Sequence, residues 1–522
     1  MPHPHIDVRR LGEDPGAGRR VRSCRTPVTR TGQDACGLDA RAVRAVAALG
    51  VAAIVGAAGC TTARDLRPVP VPTQPQTEVV IKPTPPPAAP ELPNIPPELL
   101  KPGATFSLAQ VIDVALANSP LTRATYHQAR SSSADLKSKR GAYLPQIDAT
   151  ATYGRSRQAT IGAATYLTIS SYGPAATLNY LLLDFGGRGA KVEEARQNLL
   201  AADWSHNARI HDVALGVEQA YFQYMTAKAQ LDAAHKTLDQ VKTGLDAANV
   251  RHDAGVATIA DVLQARTAVA QAQLAVDGLE GQVQAVRGAL ATAMGLPANV
   301  PLDIGSLPGQ VPLDRSQPAI DTLIADARLS RPDLESLRAL AQKAAAHVTT
   351  VRSDALPNLA LQASASRTHY DTGPFLGNQN VWSARLVLSF PLFHGLSTIY
   401  DVKKAQEDAA VAREQANSYE QQVVLQVWTS YYALQTATQR VRTSQALLDS
   451  ASQSEQVALA RYKEGVGTVL DLLSAEAALA DARAQEIQAR SDWFLALAQL
   501  THDSGRLVPA DQIAVVTEEK GK

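Results

Sequence analysis

The chain has 522 residues, 50 basic against 50 acidic, so its formal net charge is zero and nothing favours a nucleic-acid partner. Its three cysteines, Cys24, Cys36 and Cys60, are followed by 462 residues without another, which excludes a disulfide framework in the body. Hydrophobic residues make up 45% but aromatics only 5%. Alanine-rich segments dotted with Leu and Val point instead to long helices packed closely side by side.

Residues 1 to 40 are Arg-rich, with Gly, Pro and Asp, and read as an N-terminal extension ahead of the true leader. Arg41 and Arg44 then form a basic n-region, and residues 45 to 59 an apolar h-region too short to span a bilayer. "AAGC" closes it at Cys60 and fits a bacterial lipobox loosely, with Ala57 where leucine is preferred. The expected processing is cleavage before Cys60 and attachment of diacylglycerol to its thiol; the alternative is an ordinary signal peptide with an incidental cysteine. Removing residues 1 to 59, with nine Arg and five acids, leaves a mature chain near −4 (9 − 5 = 4 positive charges lost). Thr61 and Thr62 follow, so no Asp stands at the second position, and the outer membrane is the expected destination. Residues 66 to about 103 are proline-rich and predict an extended tether without a core.

The body reads as an internal duplication. Pro120 matches Pro332 and Pro145 matches Pro357, both at an offset of 212. Each half opens with a predicted helix of about 35 residues ending at a Leu-Pro pair. Alternation of period two follows: Ile147, Ala149, Ala151 and Tyr153 share one face, and Asp148, Thr150 and Thr152 the other. In the second half Leu359, Leu361, Ala363 and Ala365 oppose Ala360, Gln362, Ser364 and Ser366. Turn-rich loops are expected at 154–174 and 367–380. Second strands carry Ala176, Leu178, Tyr180 and Leu182 in one half, and Trp382, Ala384, Leu386, Leu388 and Phe390 in the other. The alternating runs have about the length a transmembrane β-strand requires.

Leu396 to Glu464 contains no Gly or Pro, and Arg188 to Ala254 no Pro and three Gly. Each predicts a helix of roughly 100 Å. Shorter helices are expected over Thr258 to Met294 and Thr468 to Asp503. Two short helices sum to one long one, so stacked end to end they would lie along it. Helices of this length must pack on each other, because an apolar stripe cannot face water alone.

Between long and short helix stand "RHDAGVATIADVLQA" (251–265) and "RYKEGVGTVLDLLSA" (461–475), near copies 210 residues apart. Gly255-Val256 and Gly465-Val466 predict left-handed helix ends. Thr258 with Asp261, and Thr468 with Asp471, predict capping boxes. Each copy is thus a tight helical hairpin at the end farthest from the strands. "GGRGAK" (186–191) lacks P-loop spacing and predicts a strand-to-helix joint.

The order helix, β-hairpin, long helix, "GVxT" turn and helix, given twice, resembles the TolC-type outer-membrane efflux proteins over about residues 105 to 507. The Leu-Pro strand entries and "ATAMGL" carry the same resemblance, and the lipobox and tether resemble the lipidated branch. The resemblance implies a mainly α fold with a membrane β-barrel part. Four strands per chain would join a trimeric twelve-stranded barrel, and long antiparallel helices would form a periplasmic α-barrel tube. It implies a homotrimer in outer-membrane lipid, partnered by a periplasmic adaptor and an inner-membrane pump. By position, Asp261, Asp471 and Tyr462 correspond to the periplasmic aperture; Gln264 and Ser474 stand where relatives often carry a second acid. For Asp261 and Asp471 capping and aperture-lining are both open, and both can hold. Gly255, Val256, Thr258, Gly465, Val466 and Thr468 are expected at the adaptor-docking tip, with turn geometry as the plainer reading.

The expected organisation is extension and signal peptide 1–59, lipidated Cys60 and tether to 104, first repeat 105–297, linker 298–317, second repeat 318–507 and tail 508–522. No catalytic or metal motif is present, and no cofactor is expected beyond the covalent lipid on Cys60. The expected function is a passive exit duct of a tripartite efflux or export system. The alternative is a non-conducting periplasmic coiled-coil scaffold lipoprotein, which would have no use for two-faced strands.

Overall fold

In a computed structural model, residues 105–159, 166–313, 319–372 and 376–506 are described. Cys60, the tether and the C-terminal tail lie outside them. The described elements run β1 (Thr105–Phe106), α1 (Leu108–Asn118), α2 (Pro120–Gly141), β2 (Gln146–Ala159), β3 (Tyr166–Leu183), α3 (Gly187–Asp253) and α4 (Ile259–Ala293). They continue with β4 (Asp303–Ile304), α5 (Ile320–Ser330), α6 (Pro332–Asp354), β5 (Asn358–Tyr370), β6 (Gly377–Ser389), α7 (Ser397–Lys463) and α8 (Val469–Asp503).

α3 and α7 each have 67 residues, about 100 Å of helix. α4 and α8 have 35 each. The single opening helix expected in each half is two. Ser119 (φ −61°, ψ 122°) and Arg331 (φ −71°, ψ 118°) are extended, and α2 and α6 begin at the prolines that follow. Proline pushes the preceding residue out of the helical region and offers no N–H, so it serves as the first residue of a new helix.

The breaks are where the short helices meet. Gly295, just past α4, has φ +73°, and a Cβ there would lie 2.8 Å from the Asn118 carbonyl oxygen at the end of α1. Gly505, past α8, has φ +73° and would crowd Ser330 Oγ at 2.6 Å. Only glycine meets both demands, left-handed backbone and close approach. α2 packs along the strand-proximal part of α3, with Thr125 Oγ1 2.9 Å from His206 Nδ1. α4 packs along α3 as well, Leu238 and Val241 closing on Val276.

The largest core lies midway along the helices. Phe222 stacks on Phe494 with centroids 5.0 Å apart, and Leu290, Val423 and Leu434 are buried beside them. The segment expected as a linker at 298–317 contributes β4, which pairs in parallel with β1 and buries Leu302, Ile304 and Leu307 in this core. Alanines such as Ala248, Ala291 and Ala482 are almost fully buried and let the helices approach closely.

Four strands form one antiparallel sheet in the order β2-β3-β5-β6. They run past the expected loops: β2 continues to Ala159 and β3 starts at Tyr166, while β5 reaches Tyr370 and β6 starts at Gly377. The extra lengths of β2, β5 and β6 are mainly polar, while that of β3 carries Leu167 and Ile169 on the face that is polar lower down, so the backbone ladder continues where the regular alternation has ended.

Candidate functional site: a two-faced sheet and a paired helical tip

Residues directly opposite in antiparallel strands share a face. The register brings Ala149, Ala176, Ala365 and Trp382 into one row across all four strands. Ile147, Leu178, Ala363 and Ala384 form another. The apolar sets of both halves therefore make one face, and it is exposed: Trp382 is 79% accessible and Tyr153 71%. One member departs from the alternation. The ladder shifts between Leu181 and Leu183, leaving Leu182 unpaired with β5.

The opposite face is polar. Asp148, Thr177, Ser364 and Ser383 align in one row, with the two serine hydroxyls 2.9 Å apart. Gln146, Asn179, Gln362 and Arg385 align in a second, where Arg385 Nε donates to Gln362 Oε1 at 3.0 Å.

The upper border of the apolar face runs obliquely. On β2 the last apolar residue is Tyr153, in the row of Tyr172, His369 and Asn378; on β6 it is Trp382, in the row of Ala149. On β3 the border is at Tyr172, in the Tyr153 row, and on β5 at Ala365, in the Trp382 row, so it drops by about 13 Å between β3 and β5; from β2 to β6, over about 14 Å of sheet, this averages an angle of roughly 40°. Strands of transmembrane barrels tilt by 35–45° to the membrane normal. The outer edges of β2 and β6 have no partner among the described residues.

The sheet joins the long helices at strained turns. Phe185 (φ 48°) and Gly186 (φ 95°) precede α3; Gly395 (φ 62°) and Leu396 (φ 66°) precede α7. Asp184 accepts the Arg188 N–H at 2.5 Å, so "GGRGAK" is the strand-to-helix joint its sequence predicts.

At the far end lie the two hairpins. Gly255 (φ +75°) and Gly465 (φ +82°) are left-handed, and Val256 N–H and Val466 N–H reach back to the carbonyls of Arg251 and Arg461 at 2.9 and 3.0 Å. Thr258 Oγ1 accepts the Asp261 N–H at 3.3 Å, and Asp261 Oδ2 accepts the Thr258 N–H at 2.9 Å. Thr468 and Asp471 repeat the exchange at 3.1 and 3.3 Å. Thr468 holds the Asp471 carboxyl below its usual range by these bonds. Asp471 is exposed and Asp261 half-buried. Val256 and Val466 project into solvent, 65% and 68% accessible.

Tyr462 differs from the rest of the predicted aperture set. It is 2% accessible, packed with Ala248, Val262, Val469 and Leu472 from both hairpins. Arg251 donates from Nη1 to its backbone carbonyl and lies over its ring. Burial pushes the Tyr462 phenol up, Arg251 pulling it down and Asp261 pushing it up. Arg251 had no role in the sequence reading. Both copies carry an arginine at this position, Arg251 and Arg461, and differ at the next, His252 against Tyr462, so the aromatic ring present in only one copy is the available signal.

Comparison with known proteins agrees with this architecture. The family model described as outer membrane efflux protein matches residues 111–296 and 323–506. The chain is 28% identical to Protein CyaE of Bordetella pertussis over 388 residues, 73% of this chain and 80% of that protein. It is 28% identical to Outer membrane protein OprJ of Pseudomonas aeruginosa over 406 residues, covering 75% and 83%. Among solved structures it matches the outer-membrane channel OprN (TM-score 0.69, 19% identity, 76% of this chain and 89% of that one). It also matches CusC (TM-score 0.68, 19% identity, 77% and 94%). With the family model matched over both halves, the chain belongs to the outer membrane efflux protein family, and it is an efflux component of the outer membrane whose helices extend into the periplasm.

Proposed function

We propose that three copies share one twelve-stranded barrel in the outer membrane and one helical tube in the periplasm, making a passive exit duct. The observation that carries this is the two-faced sheet with its oblique apolar border and open edges. Four strands are too few to close a barrel. Open edges are not tolerated in lipid, so β6 of one copy pairs with β2 of the next. The rows of Asp148 and Arg385 then line a watery lumen. A scaffold would gain nothing from such a sheet.

The duct accepts its cargo from an inner-membrane pump through a periplasmic adaptor, and the pump supplies the energy. The hairpin tips close the tube and open by an iris-like loosening of the helix pairs. Asp261 and Asp471 border the aperture, with Tyr462 tying the two hairpins behind it. Gly255, Val256, Thr258, Gly465, Val466 and Thr468 dock the adaptor, a reading supported by the exposure of both valines. Cys60 carries the lipid anchor, residues 60–104 tether it, and the duct repeats span 105–297 and 318–507.

The test is single-channel recording in a planar bilayer, with mass determination of the detergent-solubilised oligomer. A conducting trimer is expected; non-conducting monomers would overturn the proposal.

A further inference from the structure

Beyond the apolar face the same side of the sheet changes character. On β2 the next residue outward from Tyr153 is Arg155, then Arg157. On β5 the next outward from Ala365 is Arg367. Cross-strand neighbours keep them on that face: Arg155 opposes Ser170, Arg157 opposes Thr168 and Arg367 opposes Asn380. All three arginines are exposed. Arg157 lies over the Tyr166 ring at 4.4 Å; Arg155 and Arg367 make no ion pair among the described residues. The one acid nearby, Asp371, is engaged by His369 Nε2 at 3.1 Å.

Three features define what this rim fits. Arg155 and Arg367 both stand one pleat past the apolar border, so they follow its slope rather than a row of the sheet. An aromatic pair, Tyr153 opposite Tyr172, marks the border below them, as interfacial girdles do in membrane barrels. The rim lies at the strand ends away from α2, α3, α6 and α7, hence on the side opposite the periplasmic helices. Its side chains face outward, away from the lumen. Cations there meet lipid headgroups, and arginine's planar fork suits phosphate.

We propose that Arg155, Arg157 and Arg367 form an outward rim that binds the phosphate groups of the outer leaflet's phosphorylated glycolipid. This rests on the barrel reading above. Arg155 and Arg157 are about 7 Å apart along the strand; Arg367 lies about 10 Å across the sheet and about 13 Å along it from Arg155, roughly 16 Å away, a spread over which long arginine side chains can engage more than one phosphate. In a trimer the rim repeats three times around the barrel.

The test uses the detergent-solubilised full-length oligomer. Native mass spectrometry and melting curves are recorded with bis-phosphorylated lipid A, phosphate-free lipid A, phosphatidylglycerol and inorganic phosphate. Bis-phosphorylated lipid A should bind at least tenfold more tightly than the phosphate-free form and raise the melting temperature. The triple variant Arg155→Gln, Arg157→Gln, Arg367→Gln should lose that preference while conducting as the wild type does. Equal binding of the two lipid A forms, or an unchanged preference in the triple variant, overturns the inference even where conductance holds. Stabilisation by phosphatidylglycerol or inorganic phosphate equal to that by lipid A also overturns it. A wild type that neither assembles nor conducts overturns the barrel reading and this inference together.

Discussion

Arg251 on one hairpin reaches across to Tyr462 on the other, donating to its backbone carbonyl and holding its guanidinium 4.7 Å from the ring centre. The two residues are 211 positions apart in sequence. This is a polar tie between the two hairpins, and it is half-buried, so water competes weakly for it. A charge-assisted hydrogen bond with a stacked cation contributes about 2–3 kcal/mol in such a setting. Arg251→Ala should lower stability by that order in chemical denaturation and widen the distance distribution between spin labels on the hairpins. Tyr462→Phe should be near neutral, because the phenol oxygen has no partner among the described residues. A Tyr462→Phe loss as large as that of Arg251→Ala would locate the tie in the hydroxyl instead.

Capping and conduction at the tips can be separated. Thr258→Ala and Thr468→Ala should each cost about 1 kcal/mol, the usual loss of an N-cap hydroxyl. Asp261→Asn with Asp471→Asn keeps an oxygen acceptor for the Thr258 and Thr468 N–H groups but removes the charges. The double variant should melt as the wild type does and show reduced cation preference in single-channel recordings. A lower melting point with unchanged selectivity would assign both acids to capping alone.

Glu476 on α8 faces Glu455 on α7, each 5% accessible. Burial, then the Glu455 charge, pushes the Glu476 carboxyl up to about 7. The folded protein therefore holds a proton that the unfolded chain releases near its ordinary value of 4.5. The resulting stability is present below that value and is lost as pH rises through about 7. Glu218, also buried and pushed to about 7, acts in the same window. Glu476→Gln should flatten the decline between pH 5 and 8 and be more stable than wild type at pH 8 by about 2 kcal/mol. Parallel curves for the two proteins would refute the assignment.

Neighbouring positions on β6 should respond oppositely. Ala384 belongs to the apolar rows and Ser383 to the polar ones. Arginine at 384 would face lipid and cost about 2–4 kcal/mol near the bilayer centre. Ala384→Arg should fail to assemble in membranes, measured as loss of heat-resistant oligomer. Ser383→Arg should assemble and shift conductance toward anions. The reverse pattern would mean that the sheet faces are assigned the wrong way round.

Helix lengths, the hairpin turns and the caps were legible in the sequence because each depends on residues within a few positions. Gly255 and Gly465 end a helix wherever it lies, and Thr-x-x-Asp starts one. The break at Ser119-Pro120 was equally local, with Pro120 as its signal, but the segment was read as one helix of about 35 residues. The strand ends at 154–159 and 166–173 were not legible: alternation reports contrast between two environments, and it fades where water bathes both faces. The tip residues were found by position, yet the burial of Tyr462 and its tie to Arg251 were not, since the ring is buried between the two hairpins, by Ala248 and Val262 of the other half together with Val469 and Leu472 of its own.

By itself the sequence determined which segments are helix or strand, which strand face is apolar, and where the chain turns, all through short-range periodicity and turn chemistry. Only the tertiary structure decided that the apolar faces of both halves align into one surface, that its border slopes by roughly 40°, and that Arg251 finds Tyr462. Those outcomes depend on the register between β3 and β5 and on hairpins some 200 residues apart. Pairing at such separations is set by packing and the closing of backbone ladders, which no local pattern encodes.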